Sequence, residues 1–371
     1  MVGRDVYLKL ENQQLTGSFK VRGALNMVST LSDEERARGI IASSAGNHAK
    51  GVALAASRLK TRATIVMPRY ASIVKVEATR SYGVNVILHG EAYDEAYELA
   101  QQLQAKEGFH FVHPFRDPPV IAGQGTIGLE IFEDLPDVDT VVVPVGGGGL
   151  ISGIAVALKT LNPKIRIIGV QARAANSMVR SFRAKDIVTD IGRVATIADG
   201  VAVKKPSEEM LRRYLTTYVD DMVDVTEDEI AEAIVFLMER GKLVVEGAGA
   251  LALAALRTLK EQLGQKVVLI LSGGNVDLNI LKKVIHRGLL QWGRLVEFQV
   301  EVEDRPGVLN EITAILAQQG CNVMEVHHDR NRLGLEFGGT RIDFVVETAG
   351  PDATKRVWDE LVSRGYRLEA T

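Results

Sequence analysis

The chain has 371 residues, of which 46% are hydrophobic and 25% are charged. This length and composition are typical of two or three globular domains, and they exclude both an isolated small module and a wholly disordered chain. Lysine and arginine total 44 against 47 aspartates and glutamates, a net charge of −3, so the chain lacks the basic field that attracts nucleic acids or anionic membranes.

Cysteine usage and the apolar segments bear on where the protein acts. The single cysteine, Cys321, excludes an intramolecular disulfide and a multi-thiolate metal site. The first twelve residues hold two basic and two acidic side chains and no long apolar run, so they do not resemble a secretory signal. The eighteen uncharged residues Val141–Leu158 contain Pro144 and five glycines, which favours a buried strand, a turn and a helix over a membrane span. We therefore expect a cytoplasmic protein.

From residue 39 onward, short β-branched apolar runs alternate with longer helical patterns, which is typical of β-α units around a mostly parallel sheet. Two of the helices begin with capping boxes, Ser32 with Glu35 and Thr226 with Glu229. The sequence therefore predicts an α/β fold of parallel sheets and flanking helices over residues 1–290. Its predicted strands are Ile40–Ala42, Ala63–Met67, Asn85–Leu88, Thr140–Val145, Ile165–Val170, Met222–Val225 and Val267–Leu271.

After about residue 290 the order of elements changes to strand, helix, strand, strand, helix, strand. This βαββαβ order is the ferredoxin-like plan, so we expect a separate domain over residues 296–371, with the boundary between Leu290 and Leu295. The predicted elements are Val296–Val302, Gly307–Gln319, Asn322–His328, Arg341–Glu347, Asp352–Arg364 and Arg367–Glu369.

A run of four glycines, Gly146–Gly149, follows the strand predicted at Thr140–Val145 and precedes a helical pattern over Leu150–Leu158. Bare backbone amides at a helix N-terminus can bind a phosphate group. No Lys-Ser or Lys-Thr follows the run, and its spacing differs from the dinucleotide fingerprint, so neither a Walker motif nor a Rossmann site is predicted. The pattern is also compatible with a tight strand-to-helix turn.

Three further residues lie in motifs that can carry chemistry. Lys20 follows a Gly-Ser-Phe tripeptide with apolar neighbours, where a desolvated amine can act as a nucleophile, although an isolated lysine is usually a solvated surface charge. Asn47 stands in a Gly-Asn-His tripeptide that could equally mark the start of a helix. Ser272 follows the last predicted strand and opens a glycine turn, at the sheet edge where ligands bind.

Five ordered segments, Glu11–Ala24, Ser43–Ala53, Gly146–Leu150, Glu246–Ala250 and Ser272–Asp277, together resemble one family across nearly the whole chain. They are similar to the threonine dehydratases, or threonine ammonia-lyases, of the tryptophan-synthase-like group of pyridoxal-phosphate enzymes. The resemblance implies the two-subdomain fold of that group, pyridoxal 5'-phosphate as cofactor, and β-elimination of L-threonine to 2-oxobutanoate and ammonia. It also implies activity on L-serine, and a place in isoleucine biosynthesis or threonine catabolism.

The resemblance also implies roles for individual residues. Lys20 would form a Schiff base with the cofactor and act as the general base, with Phe19 beside it. Asn47 would bind the phenolic oxygen, and Ser272 would face the pyridine nitrogen and leave it largely unprotonated, which favours expulsion of the β-hydroxyl. The phosphate is assigned to Gly146, Gly147, Gly148, Gly149 and Leu150, and the substrate carboxylate to Ser43, Ser44, Ala45, Gly46, Asn47 and His48.

The C-terminal segment resembles an ACT domain, a small-molecule regulatory fold. Its Asp304–Leu309 segment matches the first strand-to-helix loop of that fold, where backbone amides can receive the carboxylate of an amino acid. We expect isoleucine or valine as the effector and, because such modules generally pair edge to edge, a homodimer or homotetramer. A packing module without a ligand is the alternative. The implied regulatory residues are Asp304, Pro306, Gly307, Val308 and Leu309.

Departures from the family pattern define the remaining alternatives. Family members carry a helix and a strand ahead of the first motif, so the amino end of this chain is expected to be short. Serine racemases share the cofactor motifs but need a second acid where this chain has Ala45, and their divalent metal needs carboxylates where it has Gln171 and Ser177. No divalent metal site is predicted, whereas a backbone-coordinated monovalent cation is compatible with the sequence. A non-catalytic amino-acid sensor is disfavoured by the presence of Lys20.

Overall fold

A computed structural model describes residues 3–189, 192, 194–331 and 334–370 of the chain. The chain divides into two compact units, Met1–Asp277 and Leu278–Thr371, each with hydrophobic clusters of its own. The helix Leu278–Gln291 belongs to the second unit, whereas the sequence prediction assigned residues up to 290 to the first. Among the described residues, no helix combines the length and the apolarity needed to span a bilayer.

The first part of unit 1 contains a four-stranded parallel sheet covered on both faces. Across the sheet, its strands lie in the order β4 (Asn85–Leu88), β3 (Ala63–Met67), β2 (Ile40–Ser43) and β5 (His110–Phe111). Ile40 and Ile65 face one hydrophobic cluster, whereas Ile41 and Val66 face another, as the alternation of side chains along a strand requires. The elements are β1 (Asp5–Lys9), α1 (Lys20–Thr30), α2 (Asp33–Arg38), β2 (Ile40–Ser43), α3 (Asn47–Arg58), β3 (Ala63–Met67), α4 (Ile73–Arg80), β4 (Asn85–Leu88), α5 (Tyr93–Glu107), β5 (His110–Phe111) and α6 (Pro118–Asp134).

The second part of unit 1 contains a five-stranded parallel sheet. Across the sheet, its strands lie in the order β1, β9 (Lys266–Ile270), β6 (Thr140–Pro144), β7 (Arg166–Ala172) and β8 (Asp221–Val225). The N-terminal strand β1 forms its edge by pairing with β9, where Asp5 lies opposite Lys266. Both predicted capping boxes are present, at the starts of α2 and α11. The elements are β6 (Thr140–Pro144), α7 (Gly149–Leu161), β7 (Arg166–Ala172), α8 (Ser177–Ala184), α9 (Glu208–Met210), α10 (Thr216–Tyr218), β8 (Asp221–Val225), α11 (Glu227–Glu239), α12 (Gly247–Ala254) and β9 (Lys266–Ile270), and a π-helix at Leu211–Leu215 joins α9 to α10.

Unit 2 has the βαββαβ order that the sequence predicts from residue 296 onward. Its four strands form an antiparallel sheet in the order β11 (Asn322–Asp329), β12 (Gly339–Glu347), β10 (Leu295–Glu303) and β13 (Arg367–Ala370). Phe298 and Phe344 stack on the helix-covered face with ring centroids 5.2 Å apart, and Ile312 and Leu316 of α14 pack in the same cluster. The elements are α13 (Leu278–Gln291), β10 (Leu295–Glu303), α14 (Val308–Gln318), β11 (Asn322–Asp329), β12 (Gly339–Glu347), α15 (Pro351–Ser363) and β13 (Arg367–Ala370).

Candidate active site

The chain just before α1 is tied to the loop that follows β9. The backbone amide of Phe19 donates to the carbonyl oxygen of Ser272 at 3.1 Å, and the amide of Gly274 donates to the carbonyl of Gly17 at 2.9 Å. These bonds join segments that lie far apart in the sequence. They place Lys20, the first residue of α1, next to the glycine turn that contains Ser272.

The Lys20 amine is partly buried, and its position is fixed by one hydrogen bond. Its Nζ donates to the carbonyl oxygen of Pro114 at 2.9 Å and lies 5.1 Å from the centre of the Phe19 ring. Desolvation lowers the pKa of Lys20 to about 8, although the negative charge of Glu246 acts in the opposite direction. A lysine with this pKa has a useful unprotonated fraction near neutral pH, which a nucleophile or a general base requires.

A partly buried ion cluster anchors helix α1 two residues beyond Lys20. The guanidinium of Arg22 donates two hydrogen bonds to Glu11, both at 2.8 Å, and two to Glu130, at 2.5 and 2.8 Å. Lys9 completes the cluster at 2.6 Å from Glu130. Glu11 is only 2% exposed, so loss of Arg22 would leave an uncompensated buried charge. Sequence reasoning assigned no role to Arg22, although it lies in the first motif.

The glycine run forms an open helix N-terminus. The amides from Gly146 to Ile151 donate to no other residue in the described parts of the chain. Gly148 has a φ of +96°, which favours glycine, and a Cβ on Gly147 would overlap the ring of Phe115. Unpaired amides at the positive end of a helix dipole suit a phosphate group.

The loop from Ser43 to His48 lies at the carboxyl end of β2. Ser43 Oγ is buried and has no hydrogen-bond partner among the described residues. Ser44 Oγ accepts from the amide of Gly46 at 3.2 Å, and a Cβ on Gly46 would meet no described atom within 4 Å. The segment therefore contains one unpartnered hydroxyl group, at Ser43, and open space at Gly46.

Asn47, the first residue of α3, is hydrogen-bonded through both ends of its side-chain amide. Its Nδ2 donates to Glu246 Oε1 at 2.6 Å, and its Oδ1 accepts from Asn275 Nδ2 at 2.7 Å. Glu246 is 6% exposed, and its pKa is raised to about 7 by burial and by the nearby charge of Asp199. Sequence reasoning quoted the motifs of Glu246 and Asn275 but gave neither residue a role. The available signal is a single glutamate directly before the Gly-Ala-Gly that begins α12.

The imidazole of His48 contributes to the fold. It is 3% exposed, and its Nε2–H donates to the carbonyl oxygen of Val112 at 2.8 Å. Burial and the charge of Lys20 lower the pKa of His48 to about 3, so the ring is neutral near pH 7. The side chain of His48, the second residue of α3, is therefore engaged within the fold.

Ser272 lies at the carboxyl end of β9, and the other predicted cofactor residues surround it. Ser272 is 3% exposed, and its Oγ makes no hydrogen bond within the described residues. A Cβ on the neighbouring Gly273 would lie 3.1 Å from Asn47 Nδ2. The Lys20 amine also lies near the glycine run, because it bonds to Pro114 and the next residue, Phe115, lies against that run. The structure therefore brings all four predicted motifs together in unit 1.

The positions compared with a racemase metal site make hydrogen bonds of their own. Gln171 Oε1 accepts from the amide of Val179 at 2.9 Å, and Ser177 Oγ donates to the carbonyl of Val203 at 2.8 Å. Within the residues that the structure describes, no group of three or more histidine, cysteine, aspartate or glutamate side chains could hold a metal ion.

The predicted regulatory loop lies at the N-terminus of α14 in unit 2. Gly307 adopts a φ of +96° as the residue before the helix. Arg305 donates two hydrogen bonds to Glu311, at 2.8 and 2.7 Å, and Arg330 donates to both carboxylate oxygens of Asp304 at 3.1 Å. Two exposed ion pairs thus hold the charged side chains of this loop.

Comparison with known proteins gives two matching families. The model for the pyridoxal-phosphate dependent enzyme family matches residues 1–273, and the ACT domain model matches residues 296–360. An L-threonine ammonia-lyase of Thermotoga maritima is 50% identical over 368 residues, which cover 99% of this chain and 91% of that protein.

Solved structures agree with these matches. Processed threonine deaminase isoform 2 from Solanum lycopersicum superposes with a TM-score of 0.75 at 42% identity, over 78% of this chain and 80% of that one. Maize serine racemase superposes with a TM-score of 0.72 at 36% identity, over 78% of this chain and 89% of that one.

Proposed function

This chain belongs to the family of pyridoxal-phosphate dependent enzymes, and on that basis we propose that it is a threonine ammonia-lyase, which converts L-threonine to 2-oxobutanoate and ammonia. The resemblance inferred from the sequence motifs is confirmed, as is the fold class with its C-terminal ACT domain. One observation carries the proposal: three features meet in one site. They are the Lys20 amine, Ser272, and the unpaired amides that begin at Gly146.

Pyridoxal 5'-phosphate is the cofactor, and the residues of the site fit it. The unpaired amides from Gly146 to Leu150 would hold the phosphate, Asn47 would donate to the phenolic oxygen, and Ser272 would face the ring nitrogen. When bound, the cofactor supplies an electron sink for negative charge at the substrate α-carbon. A neutral serine hydroxyl, unlike a carboxylate, does not favour protonation of the ring nitrogen.

The chain's own groups supply binding and proton transfer. We assign removal of the substrate α-proton to Lys20 Nζ. Its pKa of about 8 lets it both accept and release a proton near neutral pH. The hydrogen bond to Pro114 keeps that amine at one place in the site. The hydroxyl of Ser43 and the amides of its loop would bind the substrate carboxylate, and the open space before Gly46 leaves room for it.

Serine racemase is the closest alternative because the maize enzyme shares the fold. Ala45 has no group that could return a proton to the opposite face of the substrate. Gln171 and Ser177 provide no carboxylate for a divalent cation, and both make hydrogen bonds within the fold. These residues support elimination over racemisation.

We also propose a regulatory role for unit 2, which contains the ACT domain. The amides beside Gly307 would receive the carboxylate of isoleucine or valine, and the site would form part of a homodimer or homotetramer. The single cysteine supports a location in the cytoplasm.

Steady-state assays of the purified protein test the proposal. The holoenzyme should form a 2-oxo acid from L-threonine and from L-serine, and it should produce negligible D-serine from L-serine by chiral chromatography. D-serine formed at a rate close to that of pyruvate would reverse the choice between ammonia-lyase and racemase. A holoenzyme that forms no 2-oxo acid from either substrate would contradict the proposed function.

A further inference from the structure

Four polar side chains form a hydrogen-bonded chain through the site, and we call it the Asn47 network. Lys50 Nζ donates to Asn275 Oδ1 at 2.9 Å, and Asn275 Nδ2 donates to Asn47 Oδ1 at 2.7 Å. Asn47 Nδ2 in turn donates to Glu246 Oε1 at 2.6 Å. These three hydrogen bonds run in one direction and end at Glu246, which is the final acceptor.

The direction of the network is fixed by groups that cannot reverse their roles. The ammonium of Lys50 can only donate, and the carbonyl oxygen of Thr16, which receives Asn275 Nδ2 at 2.7 Å, can only accept. Asn275 therefore has one allowed amide orientation. If the Asn47 amide were flipped, its oxygen would face Glu246 and its nitrogen would face the donor of Asn275. The hydrogen bond with Asn275 would be lost, and so would the one with the charged form of Glu246.

We propose that Glu246 is a positioning residue: it engages one N–H of Asn47 and thereby directs the second N–H toward the phenolic oxygen of the cofactor. This inference rests on the proposed function, which places Asn47 at that oxygen. A carboxylate is the suitable acceptor because a charge-assisted hydrogen bond is shorter and stronger than a neutral one. The backbone amide of Asn275 also favours the charged form of Glu246.

The backbone of two glycines lies close to the Glu246 carboxylate. A Cβ on Gly273 would overlap Glu246 Oε1, and a Cβ on Gly200 would lie 3.6 Å from the same oxygen. Glu246 is also buried, so bulk water cannot replace it as the acceptor for Asn47. The charged groups that act on it or feel its charge are Lys20, Lys50, Lys75 and Asp199.

A double-mutant cycle on cofactor affinity tests the inference. The apparent dissociation constant of pyridoxal 5'-phosphate is measured by visible absorbance for the wild type, Glu246→Leu, Asn47→Ala and the double variant. Because Glu246 acts through Asn47, Glu246→Leu should weaken binding by about tenfold in the wild-type background and by less than about twofold beside Asn47→Ala. An equal loss in both backgrounds, or no loss in either, would overturn the inference.

Two further variants separate position, charge and folding. Glu246→Gln keeps the size of the side chain and should weaken binding by a smaller factor than Glu246→Leu, so the cycle can be repeated with it if the leucine variant unfolds. Glu229→Gln is the matched control, because it removes one carboxylate at a helix cap where glutamine also caps, and its cofactor affinity should equal that of the wild type.

The pH dependence of cofactor incorporation gives a second readout. The rate at which the apoenzyme takes up the cofactor depends on the unprotonated amine of Lys20, whose pKa is raised by the charge of Glu246. Glu246→Gln should therefore move the midpoint of the rate profile to lower pH, whereas Glu229→Gln should not. An unmoved midpoint would mean that Glu246 carries no charge beside Lys20, and it would overturn the inference. If Asn47→Ala binds the cofactor as tightly as the wild type, both the placement of Asn47 at the cofactor and the inference about Glu246 are wrong. If Asn47→Ala weakens binding but the Glu246 variants do not, only the inference about Glu246 is wrong.

Discussion

Lys20 Nζ donates a hydrogen bond to the carbonyl oxygen of Pro114 across 94 positions of sequence, at a distance of 2.9 Å. The next residue, Phe115, lies against Gly147 and Gly149 of the open helix N-terminus. One short segment therefore contacts both the amine and the proposed phosphate site. We expect changes at either end of this segment to alter cofactor binding.

Replacing Lys20 by alanine should abolish covalent attachment of the cofactor and lower 2-oxo-acid formation by about a thousandfold or more, because the general base is lost. Borohydride reduction of the holoenzyme followed by peptide mapping identifies the modified lysine. The exposed Lys164 provides a control, since its alanine variant should retain full activity. A label found on another lysine would contradict the cofactor assignment.

Gly147→Ala should weaken cofactor binding, because the new Cβ overlaps the Phe115 ring and forces one of the two to move. Overpacking of this kind typically costs about 1–3 kcal/mol. The double variant Gly147→Ala/Phe115→Ala relieves the overlap, so it should bind the cofactor more tightly than Gly147→Ala alone. Equal affinities for these two variants would show that Phe115 does not limit the loop.

Ser272→Asp should slow 2-oxo-acid formation by about tenfold or more, because an anion at the ring nitrogen favours its protonation and makes β-elimination less competitive. Ser272→Ala keeps the position neutral and should slow the reaction less. Steady-state kcat values with L-threonine for both variants measure the difference. If the aspartate variant turns over like the wild type, Ser272 does not face the ring.

His48 should make the protein less stable in acid. Its folded-state pKa of about 3 lies below the ordinary value of 6.5, so the unfolded chain binds more protons between these limits. Above about pH 6.5 the titration of His48 does not lower the free energy of unfolding. Below that pH, the free energy of unfolding falls by about 1.4 kcal/mol for each pH unit until the folded-state pKa is reached. Urea unfolding at about pH 7.5 and about pH 5.5 measures the loss.

The variant His48→Gln is the control for that measurement, because a glutamine amide can still donate toward Val112 but does not titrate. Its stability should depend less steeply on pH than that of the wild type. His113 also has a pKa lowered to about 3, mainly by burial, so part of the acid sensitivity should remain. An identical slope in both proteins would mean that His48 does not titrate as the structure indicates.

Isoleucine or valine should change threonine turnover from a distance, with a coupling free energy of about 1–3 kcal/mol. Calorimetry of the intact protein with isoleucine, valine, threonine and serine would detect binding outside the active site. A chain that ends at Gln291 should remain active and lose the response. If none of these amino acids binds, or if the shortened chain responds like the intact one, unit 2 has a structural role only.

Most regular elements could be predicted because their patterns are strong. The strands Ala63–Met67 and Asn85–Leu88 begin and end where the sequence predicts. Strands β1 and β5 were not among the predicted strands. β1 is an edge strand with half-exposed side chains, and β5 has only two residues, so neither has the continuous apolar run of a buried parallel strand.

The candidate site shows where sequence reasoning ends. Its four motifs could be found because glycine turns have local signatures and because the five segments together resemble one family. Pro114, Phe115 and Arg22 have none, since their roles arise from contacts with residues far away in the chain. The role of Glu246 likewise depends on Asn47, which lies 199 positions earlier.

The pairing of β1 with β9 determines when the cofactor site can form during synthesis. Strand Asp5–Lys9 is synthesised long before its partner Lys266–Ile270 and before the glycine turn that binds Gly17. At about 5–20 residues per second, roughly 13–54 seconds separate the synthesis of Asp5 from that of Gly274. During that time β1 has no β9 to pair with, so we expect the cofactor to bind only after both strands and the glycine turn have been made.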